Sequence, residues 1–206
     1  MELVDDAVRA SLVAGIVGTA LFVVTFLVDG LTRPGYHPVR QPVSALALSR
    51  RGWVQTANFL VSGLLIAAAA PGLQAATGSV WLTASVVVFG LALVASGVFP
   101  MDPMRGYPPG TPDVTPTTYS RRHQLHDYAG VLVFGSLPAT ALAAALNLDD
   151  RAWAVFSGAA AAGLVVLFLW FGSAWERDSP RAGLVQRVNI IVGWAWLGAL
   201  CWHLLP

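Results

Sequence analysis

The stretch VWLTASVVVFGLALVASGVF, residues 80–99, carries no charged side chain and ends at Pro100. About 20 apolar residues rising 1.5 Å each cross the roughly 30 Å hydrocarbon core of a bilayer, so the run has the length of a membrane span. Five more charge-poor runs accompany it. Residues 10–28 are closed by Asp29, and residues 53–70 reach Pro71-Gly72, a pair expected to end the helix. Residues 123–146 contain Pro138, a kink that neighbouring helices can tolerate, and residues 152–175 and 188–205 complete the set. With 56% of the chain hydrophobic and 11% charged, too little polar surface remains for a soluble fold. The expected fold is all-α, an integral membrane bundle of six transmembrane helices forming a single domain over residues 1–206.

The first run begins with Glu2, Asp5 and Asp6 and has only Arg9 as a basic residue. No small-x-small cleavage pattern follows it, which predicts a retained span rather than a cleaved leader. Cys201 is the sole cysteine, so no internal disulfide forms.

Six spans put both termini on one side and the loops after spans one, three and five on the other. The chain has no lysine, and ten of its 12 arginines sit beside those three loops: Arg33, Arg40, Arg50, Arg51, Arg105, Arg121, Arg122, Arg177, Arg181 and Arg187. The positive-inside rule then places these loops in the cytoplasm and both termini outside the cell membrane. An arginine cluster gathered to hold lipid phosphate produces the same count, and Arg121, Arg122 and Arg187 are candidates for that role. The third loop holds six of the 13 prolines and is expected to form a stiff, partly ordered cap. In the first loop, QPVSALALS predicts a short helix lying at the interface, with Val43, Leu46 and Leu48 on its apolar side and Trp53 anchoring span two.

The chemistry concentrates where the third loop meets span four, in TTYSRRHQLHDYAG, residues 117–130. With Ser120 as the N-cap, His123, His126, Asp127 and Gly130 follow i, i+3, i+4, i+7 and share one helical face. Gly130 leaves room one turn deeper for a ligand or for close helix packing. Polar groups at this depth need partners, and the ionisable groups on the same side are Asp29, His37, Asp102, Glu176 and Arg187. One alternative is a structural hydrogen-bond network. Another is a pocket, for which two chemistries fit. His37, Asp102, His123 and His126 supply nitrogen and oxygen ligands suited to zinc, although the HExxH spacing of zinc hydrolases is absent. Alternatively His126 with Asp127 or Asp102 acts as a general base toward Ser44, making the protein a membrane-embedded hydrolase.

At these residues the chain also resembles a known group. GYHPVRQPVSALAL after span one, GVFPMDP closing span three, RRHQLHDYAG opening span four and GLVQR before span six resemble the bacterial and archaeal membrane proteins of domain-of-unknown-function family 998. The resemblance covers nearly the whole chain and points to His37, Ser44, Asp102 and His126, with His123 beside them. A more distant similarity, through the Pro-x-Ser segment and the six-span plan, is to the eukaryotic DRAM/Sfk-like membrane family. Neither resemblance implies a reaction. The leading expectation is a lipid-facing protein that modifies or binds headgroups, with membrane lipids and no nucleic acid as partners. A small transporter or channel, or a scaffold subunit of a membrane complex, is the alternative; no span interior carries the acid or base that an ion path needs.

Overall fold

The computed structural model of the protein describes residues 2–206. It contains α1 (Glu2–Thr32), a short 3-10 helix η1 (Val43–Ala47), α2 (Gly52–Ala67), α3 (Ala70–Thr77), α4 (Val80–Val98), α5 (Arg121–Asn147), α6 (Arg151–Glu176) and α7 (Ala182–His203). Six helices are long and apolar enough to cross a membrane, with Gly52–Thr77 acting as one span. They form a ring in which α1 packs on α2, α2 on α4, α4 on α5, α5 on α6, α6 on α7 and α7 back on α1.

Span two differs from its sequence reading. The helix pauses at residues 68–69 and resumes as α3, with Pro71 in its first turn, where the missing N–H has no intrahelical partner to lose. The Ser11 hydroxyl donates to the Ala68 carbonyl at 2.7 Å and accepts from the Gly72 N–H at 2.9 Å, which satisfies backbone groups at the break from within the bundle. Pro71-Gly72 therefore starts a helix instead of ending one.

Packing at the centre combines bulk and close approach. Trp194 of α7 is 1% exposed, with Phe22 of α1 stacked on it at 5.1 Å and Phe89 of α4 meeting it edge-on at 4.7 Å. A Cβ at Gly63 would lie 2.6 Å from the Gly90 carbonyl oxygen, and one at Gly90 equally close to that of Gly63, so α2 and α4 touch backbone to backbone.

The loop-rich end is built from buried polar contacts. Asp29, 2% exposed, closes α1 by accepting from Arg33 and from Arg51, both at 2.5 Å. Arg33 also donates to the Leu48 and Arg51 carbonyls and to the Ser49 hydroxyl, which folds the first loop back over α1. The expected short helix is η1, and its apolar side faces the bundle: Val43, Ala45 and Leu46 are buried among α1, α2 and α7. The arginine hydrogen bonds and the Val43 N–H bond to Gln186 Oε1 at 2.7 Å hold it inside. Trp53 is exposed at the start of α2, the position of an interface anchor. The proline-rich third loop is an ordered cap, with Tyr107 buried edge-on against Tyr36 at 5.3 Å and Arg40 forked onto Asp113.

Candidate functional site

Span four begins where three residues interlock. The Ser120 hydroxyl accepts the His123 N–H at 3.2 Å, and Ser120 donates its own N–H and hydroxyl to the two oxygens of Asp102 at 2.7 and 2.6 Å. Burial pushes the Asp102 carboxyl upward, but the two Ser120 bonds, with His123 close by, outweigh it and hold the group below its ordinary value. The Asp102 N–H in turn donates to His123 Nδ1 at 2.9 Å. That bond uses the Nδ1 lone pair and puts the imidazole proton on Nε2, which lies 3.2 Å from Asp127 Oδ2. Tyr119 stacks on the His123 ring at 4.4 Å and completes its burial.

One turn further, His126 has the opposite tautomer. Its Nδ1 lies 2.8 Å from the Phe99 carbonyl and 3.1 Å from that of Ser96, and two acceptors on one nitrogen require the proton there. The reason is readable in the chain. The residues four positions on from Ser96 and Phe99 are Pro100 and Pro103, which have no N–H to give, so His126 supplies the donor that α4 lacks at its end. Nε2 is left as a lone pair with no protein partner among the described residues. The ring is 8% exposed and lines a cavity.

That cavity has a volume of about 370 Å³ and lies between α5 and α6 at the loop-rich end. All four residues of the expected face, His123, His126, Asp127 and Gly130, line it. A Cβ at Gly130 would meet nothing within 4 Å, so the glycine borders open space and does not serve helix packing. Ser44 and Gln186 close the inner side, and both continue with His126 and Gly130 into a branch of about 30 Å³ that runs toward Phe59 and Trp194. The opposite wall is aromatic: Phe134 from α5 faces Phe168 at 5.9 Å and Phe171 at 5.6 Å, with Trp175 beyond. Arg105 of the cap stacks over Trp175 at 3.9 Å and donates to its carbonyl, holding this wall in place. Val131, 58% exposed, also lines the cavity, which therefore reaches the outer surface of the bundle.

The remaining expected residues fall elsewhere. His37 is exposed and does not line the cavity; its backbone N–H donates to Gln41 Oε1 and its carbonyl accepts from the Arg40 and Gln41 N–H groups, while its ring has no hydrogen-bond partner among the described residues. Asp102 acts on Ser120 and does not line the cavity. His37, Asp102, His123 and His126 therefore do not form a zinc set, and among the described residues no group of three or more His, Cys, Asp or Glu is placed to hold a metal ion. Arg187, 6% exposed, is committed to the first loop, donating to the carbonyls of Pro38, Gln41 and Gly183 and to the Tyr36 hydroxyl. Burial raises the Tyr36 phenol to about 12, against the pull of Arg187, which keeps it a donor to the Pro42 carbonyl at 2.9 Å. Arg187 is thus structural rather than a lipid-phosphate ligand. Arg121 and Arg122 are exposed in the first turn of α5 and do not line the cavity.

Sequence reasoning did not find the aromatic wall or Gln186. Phe168, Phe171 and Trp175 lie in a charge-free run where lipid-facing and cavity-facing aromatics look alike. The signal available was their i, i+3, i+7 spacing, which gathers them on one face.

The family model described as protein of unknown function, DUF998, matches residues 16–203. No curated protein and no solved structure matches the chain, so the distant likeness to the DRAM/Sfk-like family has no support. With the match extending from the first span to the last helix, this six-span membrane protein belongs to the DUF998 family.

Proposed function

We propose that the protein binds a membrane amphiphile in the α5–α6 cavity. The polar end sits among Ser44, His123, His126, Asp127 and Gln186, and the chain lies along Phe134, Phe168 and Phe171 toward the opening at Val131. The observation that carries this reading is His126 Nε2, a lone pair without a protein partner that belongs to a largely buried residue and faces a cavity that is otherwise mostly apolar. A hydrogen bond from the polar end of a ligand to this acceptor contributes about 0.5–1.5 kcal/mol, and the apolar walls receive its chain. Arginine placement supports a cytoplasmic loop-rich face, which a C-terminal reporter tests by appearing outside the membrane.

The test compares the wild-type chain with Gly130→Leu, purified from membranes in a neutral detergent and examined by native mass spectrometry. A leucine at 130 projects into free space, so the variant is expected to fold while the amphiphile retained by the wild type is lost. Retention of the same species by both proteins, or no retained species on the wild type, overturns the proposal.

A second reading, hydrolysis of the bound amphiphile, is favoured by Ser44 and His126 lining both the cavity and its inner branch. In it, Nε2 takes the Ser44 hydroxyl proton while Oγ attacks an ester carbonyl, the proton passes to the departing alcohol, and a water deprotonated by the same Nε2 then attacks the acyl-serine, releasing the acid and returning the proton to Oγ. Labelling of Ser44 by a fluorophosphonate, lost in His126→Gln, tests it; an unlabelled wild-type protein rejects it.

A further inference from the structure

We propose that the head of the bound amphiphile is a primary ammonium group, as in an ethanolamine headgroup or a free long-chain amine. This rests on the amphiphile reading above and adds a charge and a donor count to it.

The charged residues lining the cavity are Asp127 and Glu176, and no arginine lines it. Arg187 is engaged with the first loop, and Arg105 with Thr115, Asp178 and the Trp175 carbonyl, while Arg122 and Arg177, next in the chain to His123 and Glu176, are exposed and do not line the cavity. Glu176 is exposed and takes part in no ion pair among the described residues. Asp127 receives His123 Nε2–H on Oδ2 and keeps its other oxygen open. A phosphate or carboxylate head would meet two like charges here, an arrangement that opposes binding.

The acceptors also match in kind. His126 Nε2 is a lone pair on a residue more than nine-tenths buried, and it lines the same cavity as the two carboxylates, a third acceptor there. A primary ammonium has three N–H donors and no acceptor. Quaternary ammonium heads have no N–H, so they would leave Nε2 unmet although the aromatic wall attracts both kinds of cation. The head therefore sits at the mouth between Asp127 and Glu176 with one N–H directed inward to His126, and the chain runs along Phe134 and Phe168.

The experiment measures binding to the full-length protein in a neutral sugar-headgroup detergent at neutral pH, where an alkylamine keeps its proton as lysine does. Tetradecylamine, tetradecyltrimethylammonium, tetradecanol and tetradecyl sulfate are compared by the rise in melting temperature as each is titrated. The amine is expected to bind most tightly, weakening roughly tenfold or more in the double variant Asp127→Asn, Glu176→Gln, as for loss of charge-assisted hydrogen bonds. Tetradecanol, which carries no charge, is expected to weaken by less than about threefold in that variant, and the ligand-free melting transition shows that the variant folds. The trimethylammonium compound is expected to bind more weakly than the amine to wild type but equally to His126→Phe. Equal binding of all four compounds overturns the ammonium assignment and leaves the amphiphile reading standing, whereas binding of none removes both. Short-chain phosphatidylethanolamine identifies the source: stabilisation by it points to the headgroup, and stabilisation by the amine alone points to a free long-chain base.

Discussion

Replacing His126 with leucine removes the single N–H that serves the Phe99 and Ser96 carbonyls while roughly preserving the volume of the side chain. Interhelical hydrogen bonds in membrane bundles average about 0.6 kcal/mol and reach about 1.7, because unfolded segments find other partners. An orphaned buried acceptor costs about 1–3 kcal/mol. The upper range applies here, since Pro100 and Pro103 remove the main-chain donors that would otherwise compensate, and His126→Leu is expected to lose about 1.5–2 kcal/mol. Phe99 is extended, with φ −111° and ψ 92°, as a residue before proline must be. Pro100→Ala lifts that restriction, lets α4 continue by one residue and offers the Ser96 carbonyl a new N–H. In the leucine background it is expected to recover about 0.5–1 kcal/mol, a coupling measurable by a double-mutant cycle from unfolding in mixed micelles. Strict additivity of the two substitutions would refute the claim that His126 stands in for the missing N–H groups.

Three further outcomes follow from the geometry. Asp29→Ala leaves the buried Arg33 guanidinium unpaired and is expected to cost roughly 3–5 kcal/mol, whereas Arg51→Ala, whose side chain is 46% exposed, costs less than about 1 kcal/mol; the same unfolding assay decides. Gly63→Ala and Gly90→Ala place a Cβ 2.6 Å from a facing carbonyl oxygen and are expected to lower stability by about 1–3 kcal/mol, while Gly130→Ala leaves it unchanged. Asp102 is held below its ordinary value of 3.8, so its contribution to stability is present above that pH and is lost as pH falls through its lower folded value. The gap in melting temperature between wild type and Asp102→Asn should therefore stay constant from neutral pH down to that range and shrink only below it; a gap that closes already near neutral pH rejects this role.

The spans were legible in the sequence because a bilayer-length run without charge leaves a helix no polar face to turn toward water, and six such runs leave the chain almost none. The cavity-lining face of α5 was legible too, since Ser120 fixes where the helix starts and a fixed start makes His123, His126, Asp127 and Gly130 coincide. Other features depend on contacts between segments. Pro71 reads as a terminator until Ser11, 60 residues earlier in the chain, is seen to satisfy the break. Arg187 reads as a phosphate ligand because a guanidinium and a loop carbonyl leave no joint trace in a single sequence; its partners lie about 150 residues away. His37 shared a loop with the site, yet the same Gln41 and Arg187 contacts that order this loop leave its side chain outside. The tautomers of His123 and His126 follow from backbone groups of the α4 end, which no side-chain motif encodes.

The central claim, that the α5–α6 cavity holds an amphiphile whose polar end meets His126, is tested most directly by an experimental structure of the protein kept throughout in its native lipid. Elongated non-protein density is expected between Phe134 and Phe168, entering past Val131, with a polar atom about 3 Å from His126 Nε2. A cavity closed by contact of these aromatic rings, or one filled only by water, would contradict it.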